Sequence, residues 1–465
     1  MIAPPWILRA PGVPYFMTEH GDAWTPIGQN DAISWVEFAG LHDRRDLPAV
    51  ARHLAALRES GVTTLRLMLE YAETGRHFFE RPAGTFDPAM VRLWDDLFAL
   101  CEQAGMHVLL TPYDTFWHWI RWDLHPYNVA NGGPCPDRTK LLVCPETREL
   151  IKARLEFATR RWGGGGTIFA WDLWNEMHPV QGDNVYTCFQ DYIGDVGPFL
   201  RGLEIEVHGR AHLQCVSVFG PELGWKPWLN EPTFRHPALD FANSHFYDEF
   251  SIDHPQDTVA SAIATGRLVR EALDEITDQR PFFDSEHGPI HTFKDHGIVL
   301  PEDFDDEYFR HIQWAHLASG GAGGGMRWPN RNPHTLTPGM RRAQKALSEF
   351  LPLVEWSRFD RRHLNGHLVA SDPDVACFGC ADEAQAVLWL LRTRPLLPDG
   401  RVDPGNGGPV RVRFPGLAPG RYEAVLWDTR EGRPAGRGRV VQDGDLTRVD
   451  VPALYADVAV AVRRA

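Results

Sequence analysis

Between about residue 14 and residue 350, short apolar runs alternate with stretches whose apolar positions recur every three or four residues. Leu47, Val50, Leu54 and Leu57 fall on one face of a helix that ends at Gly61, and VTTLRLML follows as a strand. Asp87 and Pro88 supply an N-cap and a first-turn residue for a second helix carrying Val91, Trp94, Leu97, Phe98 and Cys101. That helix stops at Gly105, before MHVLLTPYD, and a third, from about Glu146 to Trp162, precedes IFAWDLWNE. LQCVSVFG, LDFANSHFY, PFFDSE and GAGGGMRW read as further strands, each followed by loop and helix. With a short run around Tyr15–Gly28 taken as the first, eight strand positions stand in βα order. Eight such repeats predict an α/β protein built on a closed parallel (β/α)8 TIM barrel. An open dinucleotide-binding sheet would place a glycine-rich loop after a strand. Here GGGG at 163–166 comes before one, and reads as a helix stop.

Past Trp356 the period changes. HLVASDPDVACFGC, QAVLWLLRTR, VRVRFPGL, GRYEAVLWDT, LTRVDVP and DVAVAVRR are short alternating runs separated by Gly, Pro and Asp. They predict a C-terminal antiparallel β-sandwich. The expected division is therefore a catalytic barrel over 1–355 and a sandwich domain over 356–465.

Composition narrows the partners. The net charge is −15 and the basic residues are scattered, whereas a nucleic-acid surface needs concentrated positive charge. No apolar stretch reaches the roughly 20 residues needed to span a bilayer, so neither nucleic acid nor membrane is an expected partner. The N-terminus lacks a basic segment followed by an apolar run, and seven cysteines without framework spacing suit reduced thiols. A cytoplasmic location is the expectation, or a secreted one if the sequence is a trimmed mature form. The 17 Trp residues, many beside Gly, Pro, Asn or His, are well suited to stacking on sugar rings as well as to packing. Cys377-x-x-Cys380 is half of a zinc or redox motif and reads as two neighbouring strand thiols. The run Glu286, His287, His291, Asp295, His296 lacks the His-x-His after strand 1 that a barrel metallohydrolase wants. No metal or cofactor is expected.

In a barrel of this kind the chemistry sits at the C-terminal strand ends. Reading off those positions gives Arg66 at strand 2, Asp114 at strand 3, Asn175 and Glu176 at strand 4, His245 and Tyr247 at strand 6, Glu286 at strand 7 and Trp328 at strand 8. Strands 4 and 7 face each other across the mouth. Two opposed carboxyl groups about 5 Å apart are what hydrolysis of an acetal with retention requires, one ionised to attack and one protonated to release the leaving oxygen. The expected roles are Glu176 as general acid/base and Glu286 as nucleophile. Arg66 would keep Glu286 ionised, and Tyr247 would donate to and orient it. His245 would position Glu176, Asn175 would bind the sugar 2-hydroxyl, and Trp328 would floor the subsite. Asp114 reads equally as a sugar-hydroxyl ligand or a loop cap.

This ordered set resembles glycoside hydrolase family 5 and its clan A relatives over about 340 residues. The matching stretches are WDLWNE (171–176), HFY (245–247), FFDSE (282–286) and MRW (326–328), and PIGQN (26–30) is similar to the family's G-x-N. The resemblance implies a retaining β-glycoside hydrolase. The sequence departs at strand 3, where the family commonly has a His. LLTPYDTFWHW stands there, offering Tyr113, Asp114 or His118. The loop from Asp114 to Cys144 holds Phe116, Trp117, Trp119, Trp122, Tyr127, His118, His125 and Asn128, and the one after strand 5 holds Trp225 and Trp228. Such bulky loops suggest exo-action on oligosaccharides or glycosides, as a β-mannosidase or β-glucosidase does. The alternatives are an endo-β-glycanase and, from a different class, a non-catalytic carbohydrate-binding barrel. The C-terminal sandwich reads as a packing domain rather than a sugar-binding module.

Overall fold

A computed structural model describes residues 3–31, 38, 41, 45–70, 78–290, 300–329 and 336–465. Three short antiparallel strands come first: β1 (Ile7–Arg9), β2 (Phe16–Thr18) and β3 (Ala23–Trp24). Eight barrel strands follow, namely β4 (Gly28–Asn30), β5 (Thr64–Met68), β6 (His107–Thr111), β7 (Ile168–Asp172), β8 (Leu213–Cys215), β9 (Ala242–Asn243), β10 (Phe282–Phe283) and β11 (Met326–Arg327). β11-β4-β5-β6-β7-β8 form one parallel ladder, and β9 pairs in parallel with β10. The gaps close beyond the regular strands. His245 N–H donates to the Val218 carbonyl at 2.9 Å, and His287 N–H to that of Met326 at 3.1 Å.

The helices between these strands start and stop where the local chemistry directs. In α1 (Leu47–Glu59) the Asp46 carboxylate accepts the Ala49 N–H. In α2 (Pro88–Ala104) Asp87 accepts from Ala89 and Met90, and Gly105 ends the helix in the left-handed region at φ 66°. α3 (Thr115–Ile120) and α4 (Pro145–Trp162) lie between β6 and β7, and α5 (Cys188–His208) follows β7. After β8 comes only the six-residue α6 (Gly220–Trp225) and a chain of short turns through Arg235. α7 (Thr258–Glu275), α8 (Glu302–Ala318) and α9 (Pro338–Phe350) complete the ring.

The first barrel strand is not the Tyr15–Gly28 run. Gly12 and Gly21, at φ 74° and 92°, turn that stretch back on itself as β1–β3, and the chain enters the barrel only at Gly28. Phe16 then plugs the N-terminal end, its ring 5.5–6.3 Å from those of Phe169, Phe241 and Phe283 and 6.0 Å from Trp24.

The C-terminal part runs through β12 (Arg362–His363), β13 (Val369–Ala370), β14 (Val375–Ala381), β15 (Gln385–Arg392), β16 (Gly408–Pro415), β17 (Tyr422–Asp428), β18 (Arg433–Asp443), β19 (Leu446–Leu454) and β20 (Asp457–Arg464). All pair antiparallel. The long β18 joins β17 through its first half and β19 through its second, so it belongs to both sheets of a sandwich. β15 explains its own unbroken apolar run. Leu388 and Leu390 point into the sandwich core, while Val387, Trp389 and Leu391 pack with Trp314, Phe350 and Trp356 of the barrel side. Arg310 of α8 adds a buried ion pair to Asp457 and a 2.7 Å bond to Thr429. Cys377 and Cys380 of β14 are free thiols on opposite faces of one strand, Cys380 in the core shared with the barrel and Cys377 against the sandwich core. Among the described residues no helix is long and apolar enough to cross a membrane.

Candidate active site

Alternation along β5 turns Arg66 inward between apolar neighbours, where it is fully buried. Its guanidinium is the hub of the C-terminal end. Nη1 donates to Asn30 Oδ1 at 2.9 Å and to Glu286 Oε2 at 2.8 Å. Nη2 donates to Asp172 Oδ2 at 2.8 Å, Asn175 Oδ1 at 2.5 Å and Ser217 Oγ at 3.3 Å. One cation therefore ties together residues from β4, β5, β7 and the ends of β8 and β10. Buried charges of this kind need such partners, since an unpaired one costs several kcal/mol.

Glu286 follows β10 and is held from both sides. Tyr247 OH donates to Oε1 at 2.7 Å, opposite the Arg66 contact on Oε2. Its backbone N–H donates to Asp284 Oδ1 at 2.9 Å. Glu176 follows β7 at φ 48°, a left-handed conformation that a non-glycine residue holds at a cost of about 1–3 kcal/mol. Two contacts keep it there. Ser217 Oγ accepts its N–H at 3.1 Å, and Thr115 Oγ1 donates to its carbonyl at 2.7 Å. An oxygen of Glu176 and an oxygen of Glu286 lie within 4.8 Å of each other.

The two carboxyls differ electrostatically. Burial and the facing Glu286 carboxylate push Glu176 well above the ordinary carboxyl range, with Arg66 opposing. Burial raises Glu286 too, but Arg66 and the Tyr247 hydroxyl pull it back. The proton therefore rests on Glu176 and the negative charge on Glu286. Burial, then Arg66 and His287, drive His245 well below 6.5, so its ring is neutral. Its Nδ1 lies 2.8 Å from Glu176 Oε1 and its Nε2 3.1 Å from Ser285 Oγ. With Glu176 protonated, the carboxyl O–H donates to Nδ1 and Nε2–H faces Ser285.

Asp114 sits past β6, its Oδ1 accepting from Asn175 Nδ2 at 2.7 Å and from Phe116 N–H at 3.1 Å. Asp114 therefore caps the following turn, as one of its two readings expects, and also fixes the Asn175 amide. Asn175 spends Oδ1 on Arg66 and one amide hydrogen on Asp114, which leaves its second amide hydrogen uncommitted. Tyr113 and His118 belong to a neighbouring buried cluster. The Tyr113 ring stacks on Trp174 at 5.1 Å and its hydroxyl meets that of Tyr127 at 3.0 Å, while His118 Nδ1 bonds the Asp114 carbonyl at 2.7 Å. Trp328 is buried just past β11, its backbone N–H donating to the His287 carbonyl at 2.8 Å.

Among the described residues, two groups bring metal-ligand atoms within 4.8 Å of one another: Glu176, His245 and Glu286, and Glu70, His118 and His125. In the first, both His245 nitrogens are taken by Glu176 and Ser285. In the second, Tyr127 N–H donates to His125 Nδ1 at 3.1 Å, which commits the ring proton to Nε2, the atom that would face an ion. His287 binds Asp284 at 2.6 Å, while His291, Asp295 and His296 lie outside the described residues.

The strand-end reading does not single out Asp172, Ser217, Ser285 or Glu70. Asp172 and Ser217 carry a signal all the same. Asp172 lies inside an apolar run, and Ser217 is two residues past Cys215 on the same inward face. Both touch Arg66. Glu70 Oε2 accepts the Asp114 N–H at 3.2 Å and pairs with the buried Arg154, a link between distant segments that no local pattern announces.

The whole chain matches the structure of a glycoside hydrolase family 5 protein from Bacteroides vulgatus ATCC 8482. The TM-score is 0.64 at 12% identity, covering 100% of this chain and 95% of that one. The fold is that of a family 5 glycoside hydrolase. A second structure titled glycoside hydrolase matches with TM-score 0.57 at 12% identity, over 99% of this chain and 97% of the other. An exo-beta-1,4-mannosidase from Opitutaceae bacterium strain TAV5 matches over 69% of this chain and 55% of its own, with TM-score 0.51 and 17% identity. At these identities the likeness is one of fold. No family model matches the sequence, and no curated protein matches it.

Proposed function

We propose that this protein is a retaining β-glycoside hydrolase in which Glu286 attacks the anomeric carbon and Glu176 serves as acid and then base. The observation that carries the reading is the asymmetric carboxyl pair, with oxygens within 4.8 Å across the barrel mouth and one shared proton held on Glu176. That spacing suits a double displacement, whereas an inverting pair stands about 6.5–9.5 Å apart to admit a water. In the first step the ionised Glu286 Oε atom bonds to the anomeric carbon as the glycosidic C–O bond breaks, and the Glu176 proton passes to the leaving oxygen. In the second, Glu176 takes a proton from water, whose oxygen displaces Glu286. Tyr247 and Arg66 hold the nucleophile in line, and the free Asn175 amide hydrogen meets the 2-hydroxyl.

Exo-action on oligosaccharides or small glycosides is the form we favour. The large aromatic loop after β6 starts directly beside Glu176, where Thr115 Oγ1 donates to its carbonyl, which favours a closed-off site over an open groove. Two structures of the same fold are titled mannosidases, which puts β-mannosides first among candidate substrates. A panel of nitrophenyl β-mannoside, glucoside, galactoside, xyloside and furanosides tests the activity. At least one should be cleaved, and Glu176→Ala and Glu286→Ala should abolish that cleavage. Rapid mid-chain cutting of a mannan or cellulose would overturn the exo reading. Saccharide binding without cleavage of any member would favour a non-catalytic barrel.

A further inference from the structure

The segment after β8 leaves a gap in the helical ring. α6 has six residues and the short turns through Arg235 do not rebuild a full helix, so one flank of α7 has no long neighbour. A crevice of about 930 Å³ opens there, in the size range of small-molecule sites, about 300–1,000 Å³. It begins at the site already described. Tyr247, whose hydroxyl holds Glu286, lines its inner end beside Phe219, the two rings 5.2 Å apart. Trp225, at the end of α6, lines it too and keeps 71% of its surface exposed. Asp248, Glu249, Asp253, Glu271 and Glu275 line the crevice; Arg267 pairs with Asp248 at 3.3 Å and Glu271 at 3.1 Å, and Arg235 pairs with Glu275 at 3.4 Å.

We infer that this crevice is the leaving-group subsite, and that it takes an uncharged saccharide that stacks on Trp225 and gives its hydroxyl hydrogens to the carboxylates. The inference rests on the glycosidase reading and specifies which substrates it covers. A pyranose offers an apolar C–H face and a rim of hydroxyl donors, matching an exposed indole surrounded by acceptors. An apolar aryl group would use the ring but not the acceptors. A uronosyl group would be repelled by a wall in which carboxyl groups outnumber the guanidinium groups paired with them. Tyr247, which lines the crevice and donates to Glu286, links it to the carboxyl pair.

Trp225→Ala tests this, because a residue so exposed can be removed without disturbing the core. Its kcat/KM is compared with wild type on the glycosyl fluoride of the sugar the enzyme cleaves best, whose leaving group is too small to reach Trp225, and on the disaccharide with the same glycone. The disaccharide should lose about tenfold or more, as expected for one stacked aromatic contact, and the fluoride should change by less than about twofold. Wild type should also prefer a neutral leaving sugar to a uronosyl one by at least about tenfold. Equal effects on both substrates, no effect on the disaccharide, or equal cleavage of the uronosyl substrate would overturn the assignment. If wild type cleaves neither substrate, the catalytic reading is the one that fails. Titration of mannobiose and cellobiose, followed by tryptophan fluorescence, then decides the crevice by itself. Affinity lost in Trp225→Ala supports it, and unchanged affinity overturns it.

Discussion

The two ends of the barrel are built on opposite principles. At the N-terminal end Phe16 meets Phe169, Phe241, Phe283 and Trp24, an apolar plug with no charged group in it. At the C-terminal end, on the same strands, Arg66, Asp172, Glu176, His245 and Glu286 are buried together, and Glu176 holds a left-handed backbone. The plug gains by removing aromatic surface from water. The opposite end instead carries desolvated charge and strain that lower stability and are offset by the rest of the fold. Stability is thus concentrated at one end and chemistry at the other, as the strand-end geometry of such barrels favours.

If that division holds, mutations at the two ends should separate activity from stability. The largest effect should come from Glu286→Ala, which removes the proposed nucleophile. Its kcat on the best nitrophenyl glycoside should fall by about 10⁴-fold or more, with little change in the thermal midpoint. Glu176→Gln should cost less, about 10²–10⁴-fold on poor leaving groups and progressively less on better ones. It should also alter the pH profile. Burial raises Glu286 to about 7, so kcat/KM should fall as pH drops through that value and the nucleophile takes up a proton. It should fall again at higher pH as Glu176 loses its proton, and Glu176→Gln should abolish this alkaline limb while keeping the acid one. Phe16→Ala should do the reverse of the carboxyl variants. A denaturant titration should show about 3–5 kcal/mol of stability lost, with kcat within about twofold of wild type. A Phe16 variant as stable as wild type but inactive would break the comparison.

Much of the barrel was legible because helix and strand periods differ and because Asp46, Asp87 and Gly105 mark helix ends by local chemistry. The first strand was misplaced for a physical reason. Tyr15 to Trp24 has the composition of a buried strand, but its glycines at positive φ let it fold back, and only tertiary packing tells a plug from a staved strand. In the site, Arg66, Asp114, Asn175, Glu176, His245, Tyr247 and Glu286 lie in one bonded network, since all stand at C-terminal strand ends. The residues that escaped notice, Asp172, Ser217, Ser285 and Glu70, act by touching those residues; Asp172 and Ser217 stand out only as polar groups on inward positions, and Glu70, whose partners are far apart in sequence, leaves no spacing to read. The crevice escaped for a related reason, because it is made by what the segment after β8 lacks.

The central claim is that Glu286 bonds to the sugar, and trapping that bond tests it most directly. The protein would be incubated with an activated 2-deoxy-2-fluoro glycoside of the preferred sugar, digested, and its peptides mapped by mass spectrometry. The account predicts one glycosyl adduct on Glu286, absent in Glu286→Ala and retained in Glu176→Ala. An adduct on Glu176, or turnover of the natural glycoside with inversion and no adduct at all, would contradict it.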